Sequence, residues 1–265
     1  MTSRAREAVA VLAHATSQRR LARALEEAAR ETGLPLALRT LTELASETSV
    51  RQEPGRTVSV RPDRPMLWLA VGDPPADDPE ERFAQAEAYA AARSVAILTT
   101  SPVLNRPTPF GSQGSLPIGP VAALRGLPQR LRDQVRTERF ASHPAPSRGA
   151  AQEVLDYATG SRSLGSLEGE GPFRARAAGG RTAWVTVAGA RTLGPAVDGL
   201  HEASREAAAS YGLGLAHVWW TCSPDAPPAL ARVDAWAWDS ALGRRVDDVA
   251  RALVAWCSDS GGEPS

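Results

Sequence analysis

The sequence predicts an α/β protein, on three observations. Residues 8–13 (AVAVLA) form a short apolar run, the pattern of a strand buried on both faces of a parallel sheet. A helical period follows, and the run 66–71 (MLWLAV) repeats the strand pattern farther along. The second half changes character, with extended runs around glycine and proline turns and helical stretches between them. The expected organisation is an N-terminal α/β layer over 1–107 and a C-terminal α+β domain over 151–260. Residues 108–150 then form a linker or remodelled segment, and 261–265 a frayed tail.

Each element has its own signal. After the first run, His14 to Ser17 read as a turn whose Thr16 or Ser17 caps a helix over 18–32. In that helix Leu21, Ala24, Leu25, Ala28 and Ala29 recur at helical spacing, and Gly33 ends it. Residues 34–38 make a second strand, 57–60 alternate as a third, and 61–65 break the chain with two prolines. Asp78-Pro79 caps a helix expected over 80–92, since Pro is tolerated in the first turn. Residues 95–98 and 102–104 flank a short connection. The stretch 108–128 carries glycine, proline and serine without periodicity and reads as a long loop. Residues 129–139 fit either a strand or a short helix, and 152–159 look helical. Residues 173–177 and 182–188 around Gly179-Gly180 read as a hairpin. A helix over 200–210, a strand over 216–221 with a partner over 229–236, and a final helix over 246–256 complete the chain.

Composition narrows the function classes. All 30 Lys+Arg residues are arginine, against 30 acids, so the formal charge is zero. That balance removes any global electrostatic case for nucleic acid or an anionic membrane. The bias toward Ala, Arg, Pro and Gly matches coding drift in a GC-rich genome. Whatever its origin, a phosphate site here must use arginine, backbone N–H groups or helix ends. Cys222 and Cys257 make no disulfide framework or metal spacing; they pair with each other or are buried thiols. No apolar stretch approaches a membrane span or a signal peptide, so the protein is expected in the cytoplasm. Ser/His/Asp order, GxSxG and GxxxxGK motifs are absent.

VLNRP at 103–107, following an α/β layer, resembles the end of the N-terminal domain of ATP-grasp ligases. FRARAAGGRTAWVTVAGA at 173–190 resembles that family's hairpin, in which an arginine-bearing strand leads into a Gly-Gly turn. YGLGLAHVWWT at 211–221 and LARVDAW at 230–236 then stand where the family keeps a strand and its metal-binding neighbour. These matches occur in family order over about two thirds of the chain. The resemblance implies the fold of glutathione synthetase, D-alanine–D-alanine ligase and ligases that add amino acids to peptide ends.

The departures matter as much. The family places a Glu and an Asn two residues apart on its last strand, where they hold Mg²⁺ through oxygen ligands. Arg232 and Asp234 occupy those positions here, and an arginine cannot ligate a metal. Asp239 is the only other acid nearby. Only 108–172, without a lysine, is available for the family's nucleotide-gripping subdomain with its two strand-borne lysines, so that half looks shortened or absent. No metal is expected, and ATP with Mg²⁺ enters only under the alternative of an arginine-only nucleotide site.

His14, after the first strand, sits where α/β folds bind ligands, and is either a substrate contact or base, or a turn residue. Asp234 is the second catalytic candidate. The ligand-binding candidates are Asn105, Arg106, Arg174, Arg176 and Arg232. For Arg106 the alternatives are a bidentate carboxylate contact or a structural tie. Arg174 and Arg176 alternate on one strand and need a ligand or acidic partners such as Glu168 and Glu170. Arg232 and Asp234 share a strand face, which permits an ion pair in place of a metal. His217 reads as a sheet residue. Trp219, Trp236 and Trp238, beside Trp220, make either a core and subunit interface or an aromatic platform; Trp236 and Trp238 share a face if the strand runs on to Asp239.

The expected function is an ATP-grasp-like protein without conventional Mg²⁺/ATP-dependent ligation, binding a peptide or small carboxylate in a biosynthetic pathway. The alternatives are an ATP-dependent carboxylate–amine ligase and a metal-independent enzyme in the same cleft. The expected partner is a second copy or another ATP-grasp-like chain.

Overall fold

The computed structural model describes residues 8–12, 18–52, 58–69, 78–107, 138–141, 152–156, 162–164, 173–177, 181–195, 199–223, 226–235 and 237–260, with backbone pairing alone over 138–182. The N-terminal layer is a parallel sheet in the order β2 (Leu36–Thr40), β1 (Ala8–Leu12), β5 (Met66–Trp68), β6 (Val103–Leu104). The apolar run of β1 works as expected, because both of its faces are covered. Ala8, Ala10 and Leu12 pack toward α1 (Arg19–Thr32) and the last helix, whereas Val9 and Val11 pack toward α2 (Leu41–Glu47) and α3 (Pro79–Leu98).

Local chemistry sets the helix ends. Gly33 takes φ 69°, a left-handed C-terminal cap that lets the Leu34 amide reach the Ala29 carbonyl at 3.0 Å. Thr40 and Glu43 form a reciprocal capping box at the start of α2. Asp78 accepts from the Glu81 amide and Pro79 opens α3. That helix continues to Leu98, beyond the expected end at 92. No glycine or proline interrupts 80–98, and Val95 and Ala96 bury themselves under the sheet, so the expected break before 95 does not occur. β3 (Ser49–Arg51) and β4 (Ser59–Arg61) pair as a small antiparallel ribbon.

Two antiparallel sheets follow. The first has the order β7 (Glu138–Ala141), β10 (Phe173–Ala177), β8 (Gln152–Asp156), β9 (Arg162–Leu164). Two expectations are corrected here. Residues 152–156 form a strand rather than a helix: the segment pairs on both sides, with β10 and β9, and is too short to hold a helix unaided. The runs around Gly179-Gly180 are not partners in a hairpin either. β10 pairs with β7 and β8, while β11 (Arg181–Ala188) belongs to the next sheet. A glycine pair marks a change of direction but does not choose the partner strand.

The second antiparallel sheet has the order β12 (Arg191–Leu193), β11, β13 (Leu215–Ser223), β14 (Ala226–Asp234). One face is apolar. Val185, Val187, Ala216, Val218 and Trp220 pack on Leu200, Ala207 and Ala208 of α4 (Leu200–Ser210). β14 ends at Asp234, so Trp236 and Trp238 do not continue a strand face; α5 (Asp239–Leu242) starts instead, followed by a 3₁₀ turn (Gly243–Arg245) and α6 (Val246–Ser260). Helix α6 lies against α1 and joins the N-terminal core through Val249, Ala250 and Leu253. Cys257 on α6 is a free thiol that burial pushes up to about 12, and Cys222 is also free.

Candidate functional site

Two groups of polar residues stand out among the described ones, and the first holds the N-terminal layer to the C-terminal sheet. Asn105 is 2 % exposed with φ 58°, a conformation that Asn tolerates better than most residues. Its Oδ1 accepts from the amides of Gly214 and Leu215 at 2.8 Å each, and its Nδ2 donates to the Leu215 carbonyl at 2.9 Å. The chains approach so closely that a Cβ on Gly214 would lie 2.8 Å from Leu104 Cγ. Arg106 donates to the carbonyls of Ala96, Ile97 and Thr99 through Nη1 and to that of Ser101 through Nη2. It caps the C-terminus of α3, where a cation faces the negative end of the helix dipole.

Two further stitches complete the seam. Gln18 Nε2 donates to the carbonyls of Leu69 and Ala237. Asp239, the other acid near the end of β14, accepts from the amides of Arg20 and Leu21 at 2.7 and 2.9 Å. Its carboxylate caps α1 instead, which is where an anion is favoured.

The second group lies on the face of the C-terminal sheet opposite α4. A bulge in the β13–β14 pairing places it. Leu230 opposes Trp220 and Arg232 opposes Trp219, with Ala231 as the extra residue between them. Leu230 therefore joins the apolar face while Arg232, two positions on, joins the other. There the contacts run in a closed circuit. The Arg245 guanidinium lies 5.0 Å over the Trp184 ring, Trp184 and Trp219 have centroids 5.0 Å apart, and Arg232 lies 4.8 Å over Trp219. Arg232 Nε is 2.7 Å from Asp234 Oδ2, an ionic contact along which the N–H does not align as a hydrogen bond. Asp234 pairs opposite His217, whose Nδ1 is 3.0 Å from Thr186 Oγ1; Arg245 Nη1 returns to that hydroxyl at 3.3 Å.

Three features of this circuit are chemically open. Asp234 is 2 % exposed and its Oδ1 has no partner among the described residues, and the buried Trp219 Nε1 has none among them either. Trp220 next to it is satisfied, donating to Ser204 Oγ at 2.9 Å. Arg245 faces no carboxylate among the described residues. Its bonds go to Thr186 and, at 3.4 Å, to the Leu193 carbonyl, and burial lowers its pKa from the ordinary arginine value. Buried polar atoms are normally matched, so the unmatched ones on this sheet face set it apart from the seam.

The expected site residues therefore separate. Arg232, Asp234 and Trp219 come together. Asn105 lies in the seam, and Arg106 beside it stays within the N-terminal layer, both with their polar groups engaged by backbone. Trp238 precedes α5, its carbonyl accepting from the Leu242 amide. Arg174 and Arg176 lie on β10, opposite Leu155 and Glu153 of β8. His14, Trp236 and the side chains of Arg174 and Arg176 lie outside the described residues. Trp184 and Arg245 were not anticipated. The register Trp184↔Trp219 is visible only once β11 and β13 are paired, and Arg245 sits in a turn without periodicity.

A divalent metal does not fit the described residues of β14. Mg²⁺ needs several oxygen ligands, whereas Asp234 is a lone carboxylate whose Oδ2 already faces a guanidinium. No cluster of three or more potential ligands occurs among the described residues. No helix there is long and apolar enough to cross a membrane.

No family model and no curated protein matches the chain. Solved structures do. The ATP-grasp ligase PsnB, complexed with a precursor peptide and AMPPNP, superposes with a TM-score of 0.64 at 16 % identity, over 97 % of this chain and 99 % of that one. The macrocyclase MdnB from Microcystis aeruginosa MRC gives 0.60 at 13 % identity, over 95 % and 99 %. A RimK domain ATP-grasp protein from Sphaerobacter thermophilus gives 0.53 at 18 % identity, over 94 % and 99 %. Parallel layer, central antiparallel sheet and C-terminal antiparallel sheet thus follow one known architecture, and the chain has the ATP-grasp fold.

Proposed function

We propose that this chain is an ATP-grasp-like protein of a peptide-modifying biosynthetic pathway that binds a peptide or small carboxylate and does not carry out Mg²⁺/ATP-dependent ligation. The observation that carries this reading is the Arg232–Asp234 pair at 2.7 Å on the last strand. A guanidinium supplies the positive charge that the fold's ligases draw from a metal. The absence of lysine from the whole sequence adds to it, because an arginine fork does not reproduce a lysine point charge. Peptide binding is supported by analogy: PsnB and the macrocyclase MdnC have been solved with precursor peptides.

Under this reading neither ATP nor Mg²⁺ is a cofactor, and the partner is a second copy or another ATP-grasp-like chain. A phosphate-release assay tests it, with ATP, Mg²⁺ and mixed carboxylate and amine acceptors. Release at the no-enzyme rate is expected. Acceptor-dependent release well above that rate would reinstate the ligase.

A further inference from the structure

A cavity of about 570 Å³ opens on the α2 side of the N-terminal layer, and none of its lining residues belongs to the C-terminal sheet. That volume falls in the range of small-molecule sites, about 300–1,000 Å³. Register sets Val9 of β1 beside Ala37 of β2, and Arg39 follows on the same face two residues on. Val9 and Val60 are buried and, with Ala37, supply an apolar floor, while Arg61 and Arg64 are exposed. Both carboxylates of the cavity are committed. Glu47 Oε1 holds Arg39 Nε at 2.8 Å, and Asp63 accepts from the hydroxyls of Thr99 and Thr100 and from the Ser101 amide. The first contact orients the Arg39 fork, whose Nη1 goes to the Leu38 carbonyl, and leaves Nη2 as a donor. The second ties the turn that carries Arg61 to the end of α3. Arg61 has no acidic partner among the described residues. Three guanidiniums against two committed carboxylates make the cavity positive.

We infer that this cavity binds a phosphate monoester of a small apolar group, the phosphate at Arg39 Nη2 and Arg61, the apolar group on Val9, Ala37 and Val60. A phosphate monoester carries about two negative charges at pH 7 and three acceptor oxygens, and guanidinium forks match that geometry. A single carboxylate offers less charge and fewer oxygens to the same donors. Inorganic phosphate leaves the apolar floor uncovered, and burying that floor adds to affinity. The site stands on the other layer from the Arg232–Asp234 pair and is independent of the function proposed above.

The test is a calorimetric titration of the full chain with three probes. Phenyl phosphate carries both groups, inorganic phosphate lacks the apolar one, and benzoate keeps the ring with a single charge. Saturable binding of phenyl phosphate is expected, with inorganic phosphate and benzoate each about tenfold weaker. In Arg61→Gln the affinity for phenyl phosphate is expected to fall about tenfold, while Arg61→Lys, which keeps the charge, retains part of it. Arg61 is exposed, so these variants change the cavity without emptying the core.

No saturation by phenyl phosphate at about 10 mM would overturn the inference. So would equal affinity for phenyl phosphate and benzoate, which would deny the role of the phosphate. Equal affinity for phenyl phosphate and inorganic phosphate would deny the floor and overturn it as well. Binding undiminished in Arg61→Gln but lost in Arg245→Gln would move the anion to the C-terminal sheet, against the assignment.

Discussion

The seam between the layers and the open face of the C-terminal sheet use the same kinds of residue to opposite effect. In the seam, Asn105, Gln18 and Asp239 meet backbone groups at hydrogen-bond distance. On the sheet face, an indole N–H and a carboxylate oxygen are buried without partners among the described residues, and Arg245 stacks on tryptophan while facing no acid among them. Folding explains the first group fully, since buried polar atoms cost least when matched. The second group lacks that matching among the described residues. Trp219 and Trp220 make the contrast within two residues: one lacks a partner and one donates to Ser204.

The comparison can be broken most easily at the seam. Asn105→Ala removes three buried bonds and places alanine at a left-handed φ, so a loss of about 3 kcal/mol is expected in urea unfolding. A loss below about 0.5 kcal/mol would mean that Asn105 does not hold the layers together. The tryptophan pair gives a smaller effect. Phenylalanine removes similar volume at either position, but only Trp220→Phe breaks a made bond. It is expected to be about 1 kcal/mol more destabilising than Trp219→Phe. The opposite order would show that Trp219 is satisfied within the folded chain.

The smallest effect concerns pH. Asp63 accepts from Thr99 Oγ1 at 2.6 Å and from the Ser101 amide, and these bonds, Thr99 first, hold its carboxyl below the ordinary value of 3.8. A lowered carboxylate pKa stabilises the folded state above the unfolded value and ceases to do so as pH falls through the folded one. Wild type and Asp63→Asn should therefore differ most at neutral pH and converge in acid unfolding below about pH 4. A gap that is independent of pH would assign the difference to shape rather than charge.

The parallel layer was legible in the sequence because burial on both faces writes itself as apolar runs, as in 8–12 and 66–68. The C-terminal hairpin of β13 and β14 was legible from its proline turn, and the Arg232–Asp234 pair from two residues sharing one strand face. The partner of β10 was not, because strand pairing is a long-range choice that a Gly-Gly step leaves open. The role of Asp239 was not legible for a related reason: its carboxylate caps a helix start 218 residues away. Trp184 and Arg245 became visible only through cross-strand register and a 3₁₀ turn, neither of which has a sequence period.

The central claim is that a guanidinium has replaced the metal on the last strand. Calorimetric titration of the purified chain with ATP, with and without Mg²⁺, tests it most directly. No saturable binding at millimolar ATP, and no change on adding Mg²⁺, is the predicted result. Saturable binding that requires Mg²⁺ would contradict it and show that the arginines of this fold have taken over the work of lysine.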